Sequence, residues 1–236
     1  KLANLVICPS VACFEYLRSL GFTNVVCVPW DCGQPLHTKP PGRSLDSPKL
    51  LLPFWDGNAN RSELTAITLL ELLLVKHPRL CVTLACSSST VSRVATRRLD
   101  RLAVPMRERL RVVRGVPPSQ RFQLFQQHDL TFYPSHYEST GLTVLQSLEM
   151  STPVAAFNFR PLTEILAPHN SVAVNCTEEC NTLGMPRAIP DYEAIETELS
   201  GLLTNLPHLH DLQNTTLTGI AHRRAAFTSS LQCLLR

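Results

Sequence analysis

Glu138, Ser139, Thr140 and Gly141 follow one another within "PSHYESTGLTVLQSLEMSTPVAAFNF" (Pro134–Phe159), and Gln146 stands two helical turns beyond the acid. A carboxylate at the mouth of a helix can accept two hydrogen bonds from neighbouring hydroxyls, the pattern a sugar offers. Pro134 and Ser135 close an apolar strand, Ser139 and Thr140 carry helix-capping hydroxyls, and Gly141 allows another group close to the backbone. A helix that starts at a strand end gathers free N–H groups and a partial positive charge, which suits a diphosphate. The plainer reading of Glu138 is a surface carboxylate favoured by the helix dipole.

Elements of the right kind surround this turn. "NLVIC", "VACFEYLRSLG" and "NVVCVP" read as strand, helix and strand, with Gly21 closing the helix. "WDCGQPLHTKPPGRSLDSP" has no apolar period and reads as a linker between domains. The alternation then restarts: strand "KLLLPFW", polar loop "DGNANRS", helix "ELTAITLLELLLVKH", strand "LCVTLAC" and helix "SSSTVSRVATRRLDRLA" with hydroxyl caps. Strands are expected at "LRVVRGV", "DLTFYPS", "PVAAFNF" and "SVAVN", and helices at "PPSQRFQLFQQH", "DYEAIETELSGLLTNL" and the tail "TLTGIAHRRAAFTSSLQCLL". Continuous apolar strands alternating with helices predict an α/β, doubly wound parallel sheet (Rossmann-like) covered on both faces. Such sheets bind ligands at the carboxyl ends of their strands.

With 236 residues, 44% hydrophobic and 17% charged, the composition is that of a globular protein. No apolar run is long enough to cross a bilayer, and no charged–apolar–small pattern opens the chain. The start at Lys1, directly before a core-like strand, suggests a piece of a longer protein. A net charge of +3 is mild, and the arginines of "SRVATRRLDRLAVPMRERLRVVRG" are interrupted by Asp100 and Glu108. A solvated helix face is the expectation there, and nucleic acid is not an expected partner. Nine cysteines without a CxxC pair indicate neither a zinc ribbon nor a disulfide framework. A reducing, cytoplasmic setting is expected, with peripheral membrane contact left open. Three Asn-x-Ser/Thr sequons, at Asn60, Asn175 and Asn214, carry little weight without a secretory signal. No dinucleotide fingerprint, Walker loop or Asp-x-Asp pair is present, so neither NAD, ATP nor a metal bridging a diphosphate is expected. His128, His136 and Arg160 flank the motif; each reads first as structural, and secondarily as a cleft residue.

The motif also resembles the signature of the retaining glycosyltransferases of family 4 (group 1 glycosyltransferases), which have the two-domain GT-B fold. The match runs through Pro134, Ser135, Glu138, Gly141, Leu142, Leu145, Pro153, Val154 and, in "RPLTEIL", Glu164. "FWDGNANRS" with "LLVKHPRLCVTLAC" is similar to the start of that family's donor domain, and "AHRRAAFTSSLQCLL" to its C-terminal helix. The resemblance implies that residues 1–44 end an N-terminal GT-B domain and its linker, 45–215 form a nucleotide-sugar binding domain, and 216–236 cross back toward the N-terminal domain.

In that frame Glu138 contacts hydroxyls of the transferred sugar, and the backbone around Ser139, Thr140, Gly141 and Leu142 holds the diphosphate. Position 146 holds the ribose, and Arg61 neutralises the charge that builds on the leaving diphosphate. The implied activity is a hexosyltransferase that needs no metal, moving sugar from a UDP- or GDP-sugar type donor to a glycan, lipid or protein acceptor. The missing N-terminal domain of the same protein then completes the site. Departures are Gln146 for the second acid, Arg61 for a lysine, Asp56 near the first strand's end, Ser139–Thr140 for Gly-Phe and Ser151 for glycine. Gln146, Asp56 and Ser151 support an alternative, a diverged and inactive domain that binds a glycan, nucleotide or protein. A sugar-nucleotide epimerase of GT-B architecture is a third reading.

Overall fold

The computed structural model describes residues 3–33, 47–54, 63–86, 91–166, 171–180 and 186–234. It opens with a βαβ unit: β1 (Val6–Cys8), α1 (Val11–Ser19) and β2 (Val25–Cys27). The two strands pair in parallel, Val6 opposite Val25. Ser10 caps α1 by accepting the amide of Cys13.

The larger unit begins with β3 (Lys49–Phe54), α2 (Glu63–Lys76), β4 (Cys81–Cys86), α3 (Arg93–Asp100) and α4 (Val104–Arg107). It continues through β5 (Leu110–Val113), α5 (Pro118–Gln126), β6 (Leu130–Tyr133), α6 (Leu142–Glu149), β7 (Val154–Phe157), α7 (Leu162–Leu166) and β8 (Val172–Val174). The antiparallel strands β9 (Cys176–Cys180) and β10 (Pro186–Pro190) follow, then α8 (Tyr192–Thr204) and α9 (Leu206–Leu234). Six strands form one parallel sheet in the order β5-β4-β3-β6-β7-β8.

The apolar strands are continuous because both faces of this sheet are covered. Leu50, Leu52 and Phe54 pack with Val82, Leu84 and the buried side of α2, whereas Leu51 and Ala85 pack with Leu124 and Phe125 of α5. Burying one such leucine contributes about 1.5–3 kcal/mol of transfer free energy.

Strand order reverses between β3 and β6, and there the sheet splits. β3 pairs with β4 over its whole length, but with β6 only at Leu50–Leu130 and Leu51–Thr131. Odd-numbered residues of β3 turn their polar groups toward β6, as the bond from Asp129 N to Lys49 O (2.8 Å) shows. Pro53, which has no N–H, therefore falls past the last pair, where no ladder bond is lost. The reversal between β3 and β6 is the switch point beside which open α/β sheets bind ligands, at the carboxyl ends of their strands.

Three local expectations need correction. The helix expected from Ser87 begins at Arg93 with Ser92 as its cap, residues 87–90 lying outside the described ones. β9 and β10 were not legible as strands. The tail helix starts at Leu206, with Pro207 in its first turn and Asn205 Oδ1 accepting the amide of His208 (3.2 Å). It runs unbroken across 215/216, packing on α6 and α8. Most of the expected linker, residues 34–46, lies outside the described residues.

Candidate functional site

β6 delivers the chain to this switch point, and residues 134–141 turn it into α6. The expected hydroxyl caps are not the cap: Gly141 is the N-cap residue, with φ 69° and no side-chain cap bond. Ser139 and Thr140 lie too early in the turn, and their hydroxyls face each other at 3.4 Å. Gly141 is required for a second reason. A Cβ there would lie 2.3 Å from Cδ1 of Ile165, so the group approaching this backbone is a side chain of α7.

Glu138 is half-buried and fully engaged. Its Oε1 accepts the amides of Ser139 (3.0 Å) and Thr140 (3.3 Å), and its Oε2 accepts the hydroxyl of Tyr133 (2.8 Å). Tyr133, 4% exposed, is the last residue of β6, so the sheet itself aims the carboxylate. Glu138 and Ser139 line a cavity of about 430 Å³. Its other walls are Ser10, Cys13 and Glu15 from the α1 region, Arg160, and Glu178 from β9.

This cleft joins the N-terminal βαβ unit to the larger one through a polar network. Ser10 Oγ donates to Ser139 O (3.2 Å). Glu164, at the start of α7, accepts the amides of Val11 and Ala12, each at 2.8 Å. It thereby caps α1, where its charge meets the positive end of the helix. Arg160 bridges Glu164 (3.1 Å) and Glu15 (2.7 Å), and these two carboxylates hold its guanidinium above the ordinary range. Arg160 therefore lines the cavity while committed to ion pairs.

Of the remaining expected residues, Leu142 is 40% exposed at the first position of α6. Gln146 lies one turn further along α6, half-buried and away from the cavity lining. Arg61 and Asp56 fall outside the described residues. His128 is buried and structural, bonded to Leu124 O and to Thr83 Oγ1. His136 reaches Thr65 Oγ1 (3.0 Å), which in turn meets the hydroxyl of Tyr192 (3.2 Å). Burial, helped by the charge of Arg187, lowers the His136 pKa to about 4. The backbone of His136 also accepts the amide of Ala188 (3.0 Å), and the Arg187 guanidinium lies over the Tyr137 ring. Strand β10 thus braces the motif turn. Ser151, in the glycine position, adopts φ 54°, which explains why glycine suits that place.

A cluster of ionisable groups around the buried Glu149 leaves no local trace in the sequence. Arg224 of α9 donates to Asp31 Oδ2 (2.8 Å) and to Glu149 Oε1 (2.7 Å), and Glu149 is completely buried. Arg223 donates to Trp30 O (2.9 Å). The start of the linker is thereby pinned between α9 and α6.

Residues 94–181 match the profile of the family described as glycosyl transferases, group 1. The chain has the fold of the C-terminal half of a GT-B glycosyltransferase. Among solved structures, the GtfA/B complex superimposes with a TM-score of 0.72 at 12% identity, over 98% of this chain and 45% of that one. Sucrose-phosphate synthase from Thermosynechococcus elongatus gives 0.73 at 17% identity, over 98% and 58%. HepE of Anabaena, solved in complex with UDP and glucose, gives 0.72 at 12% identity, over 98% and 63%. The chain thus spans less than two thirds of each of these neighbours. No curated protein matches it by sequence. Among the described residues no helix is long and apolar enough to cross a membrane, and no group of side chains is arranged to hold a metal ion.

Proposed function

We propose that the chain is the donor-binding part of a retaining hexosyltransferase that takes sugar from a nucleoside diphosphate and passes it to a glycan, lipid or protein acceptor. One observation carries this reading. Glu138 sits at the carboxyl end of β6, beside the strand-order reversal, and lines a cavity shared with the N-terminal segment. The group 1 match across that turn and the UDP and glucose in the HepE complex support it.

In this reading Glu138 receives hydroxyls of the transferred sugar, oriented by Tyr133. The uncapped start of α6, from Gly141 and Leu142 onward, faces the diphosphate with its amides and partial positive charge. Ser139 and Thr140 contribute to the same turn. Arg61 supplies positive charge as the leaving diphosphate gains negative charge, and no metal is required. Gln146 stands in for the ribose acid, with an amide that forms weaker bonds than a carboxylate. An N-terminal GT-B domain, docked beyond β1, completes the acceptor side.

Calorimetric titration of the whole protein with UDP, GDP and their sugars tests this. Saturable binding of one sugar nucleotide, weakened by Arg61→Ala and tightened by Gln146→Glu by about 1 kcal/mol, is the expected result. Absence of binding across the panel rejects it. The second reading, a diverged domain without catalysis, is favoured by the engagement of Glu138 with the turn's own amides. It predicts that absence.

A further inference from the structure

Two pairs of backbone amides in this cleft point where an anion would bind, and each pair already holds a carboxylate of the protein. Glu138 Oε1 takes Ser139 N and Thr140 N. Glu164 takes Val11 N and Ala12 N. The cleft's one described guanidinium, Arg160, is tied between Glu164 and Glu15. The cavity lining carries three carboxylates, Glu15, Glu138 and Glu178, against that one guanidinium, and both amide pairs are already taken.

We infer that Glu138 is a resident anion: its carboxylate and the phosphate of a ligand compete for the amides of Ser139 and Thr140, and the ligand binds by displacing it. This deepens the donor reading and rests on it. An N–H has one proton, so an amide that donates to Glu138 is not free to donate to a phosphate. A carboxylate left in place would also repel the incoming charge.

The geometry provides somewhere for the displaced group to go. Glu138 Oε2 is held by the Tyr133 hydroxyl, independently of the two amides. Tyr133 is fixed at the end of β6 and buried, so it serves as a pivot. Oε1 swings off the amides into the cavity while Oε2 keeps its bond. Arrival of the diphosphate then frees the acceptor that a sugar hydroxyl needs. After the sugar leaves, return of the carboxylate to the amides helps expel the diphosphate. The motion needs only side-chain torsions, because the turn is already braced by the Ser10 and Ala188 contacts.

The consequence is unusual for a binding residue: removing it should tighten part of the ligand. Titrating the full chain with inorganic pyrophosphate, UDP and GDP, we expect Glu138→Ala to bind the preferred diphosphate roughly tenfold more tightly than wild type, the ratio given by one charge-assisted hydrogen bond. The matching sugar nucleotide should gain less, because its hydroxyl contact is lost. The near-isosteric Glu138→Gln should fall between the two, and guards against disruption of the turn by the alanine. Amide resonances of Ser139 and Thr140 should shift on adding pyrophosphate to the alanine variant at concentrations that leave wild type unchanged. If wild type binds the diphosphate and both variants bind it equally or less well, the displacement idea is overturned while the donor reading stands. If no form binds any nucleotide or pyrophosphate, both are overturned.

Discussion

Replacing Glu149 with glutamine should make the protein's stability less sensitive to pH. Glu149 is fully buried, and neither its Oε2 nor Oδ1 of Asp31 meets an N–H donor, so a proton on Glu149 is what lets the two acids share a hydrogen bond. Burial pushes its pKa up to about 8, the neighbouring Asp31 adds to the rise, and Arg224 opposes it. At neutral pH the folded protein therefore keeps a proton on Glu149, while the unfolded chain releases it above the ordinary value of 4.5. Between those two values the folded state holds one more proton than the unfolded state. Stability from this group is complete below 4.5 and is lost as pH rises toward 8, at a slope near 1.4 kcal/mol per pH unit. Glutamine reproduces the neutral acid but cannot titrate. Urea melts of wild type and Glu149→Gln at intervals from pH 5 to 8 give the comparison, and the other titrating groups cancel in the difference. The variant should gain on wild type by about 1 kcal/mol or more per pH unit. Parallel pH profiles would show that Glu149 is ionised in the fold and would refute the buried-proton argument.

Three further outcomes follow from the packing of other side chains. Gly141→Ala should cost about 1–3 kcal/mol, because of its positive φ and its contact with Ile165; Ile165→Val, which removes the offending methyl, should recover part of that loss in a double-mutant cycle. Arg109 donates to the carbonyls of Leu74, His77 and Leu80 around the end of α2, so Arg109→Met should lower stability by about 1–3 kcal/mol in denaturant melts. His136, whose pKa falls from 6.5 to about 4 in the fold, contributes stability that is present above 6.5 and lost as pH falls toward 4; His136→Gln should flatten the acid side of the stability profile.

The sheet was legible because each strand is a short apolar run closed by a turn or cap, and Leu50–Leu52 or Val154–Phe157 can be little else. The motif turn was legible because Glu138, Gly141 and the proline-flanked strands are local. β9 was not: "CTEEC" is mostly exposed and lacks an apolar alternation, so its pairing with β10 is decided by distant contacts. The start of α9 was hidden by Pro207, which reads as a breaker and serves as a first-turn residue. The Asp31–Arg224 pair spans 193 residues and Arg224–Glu149 spans 75, so neither leaves a local trace. Glu164 could be matched to the motif, but its capping of α1 emerges only when the two ends of the chain meet.

Hydrogen–deuterium exchange of the whole protein, with and without saturating sugar nucleotide, tests the placement of the donor most directly. Slowed exchange concentrated in residues 138–146 and in the segment after β3 is the expected result. Saturable binding that leaves those amides unchanged and protects another surface would contradict it.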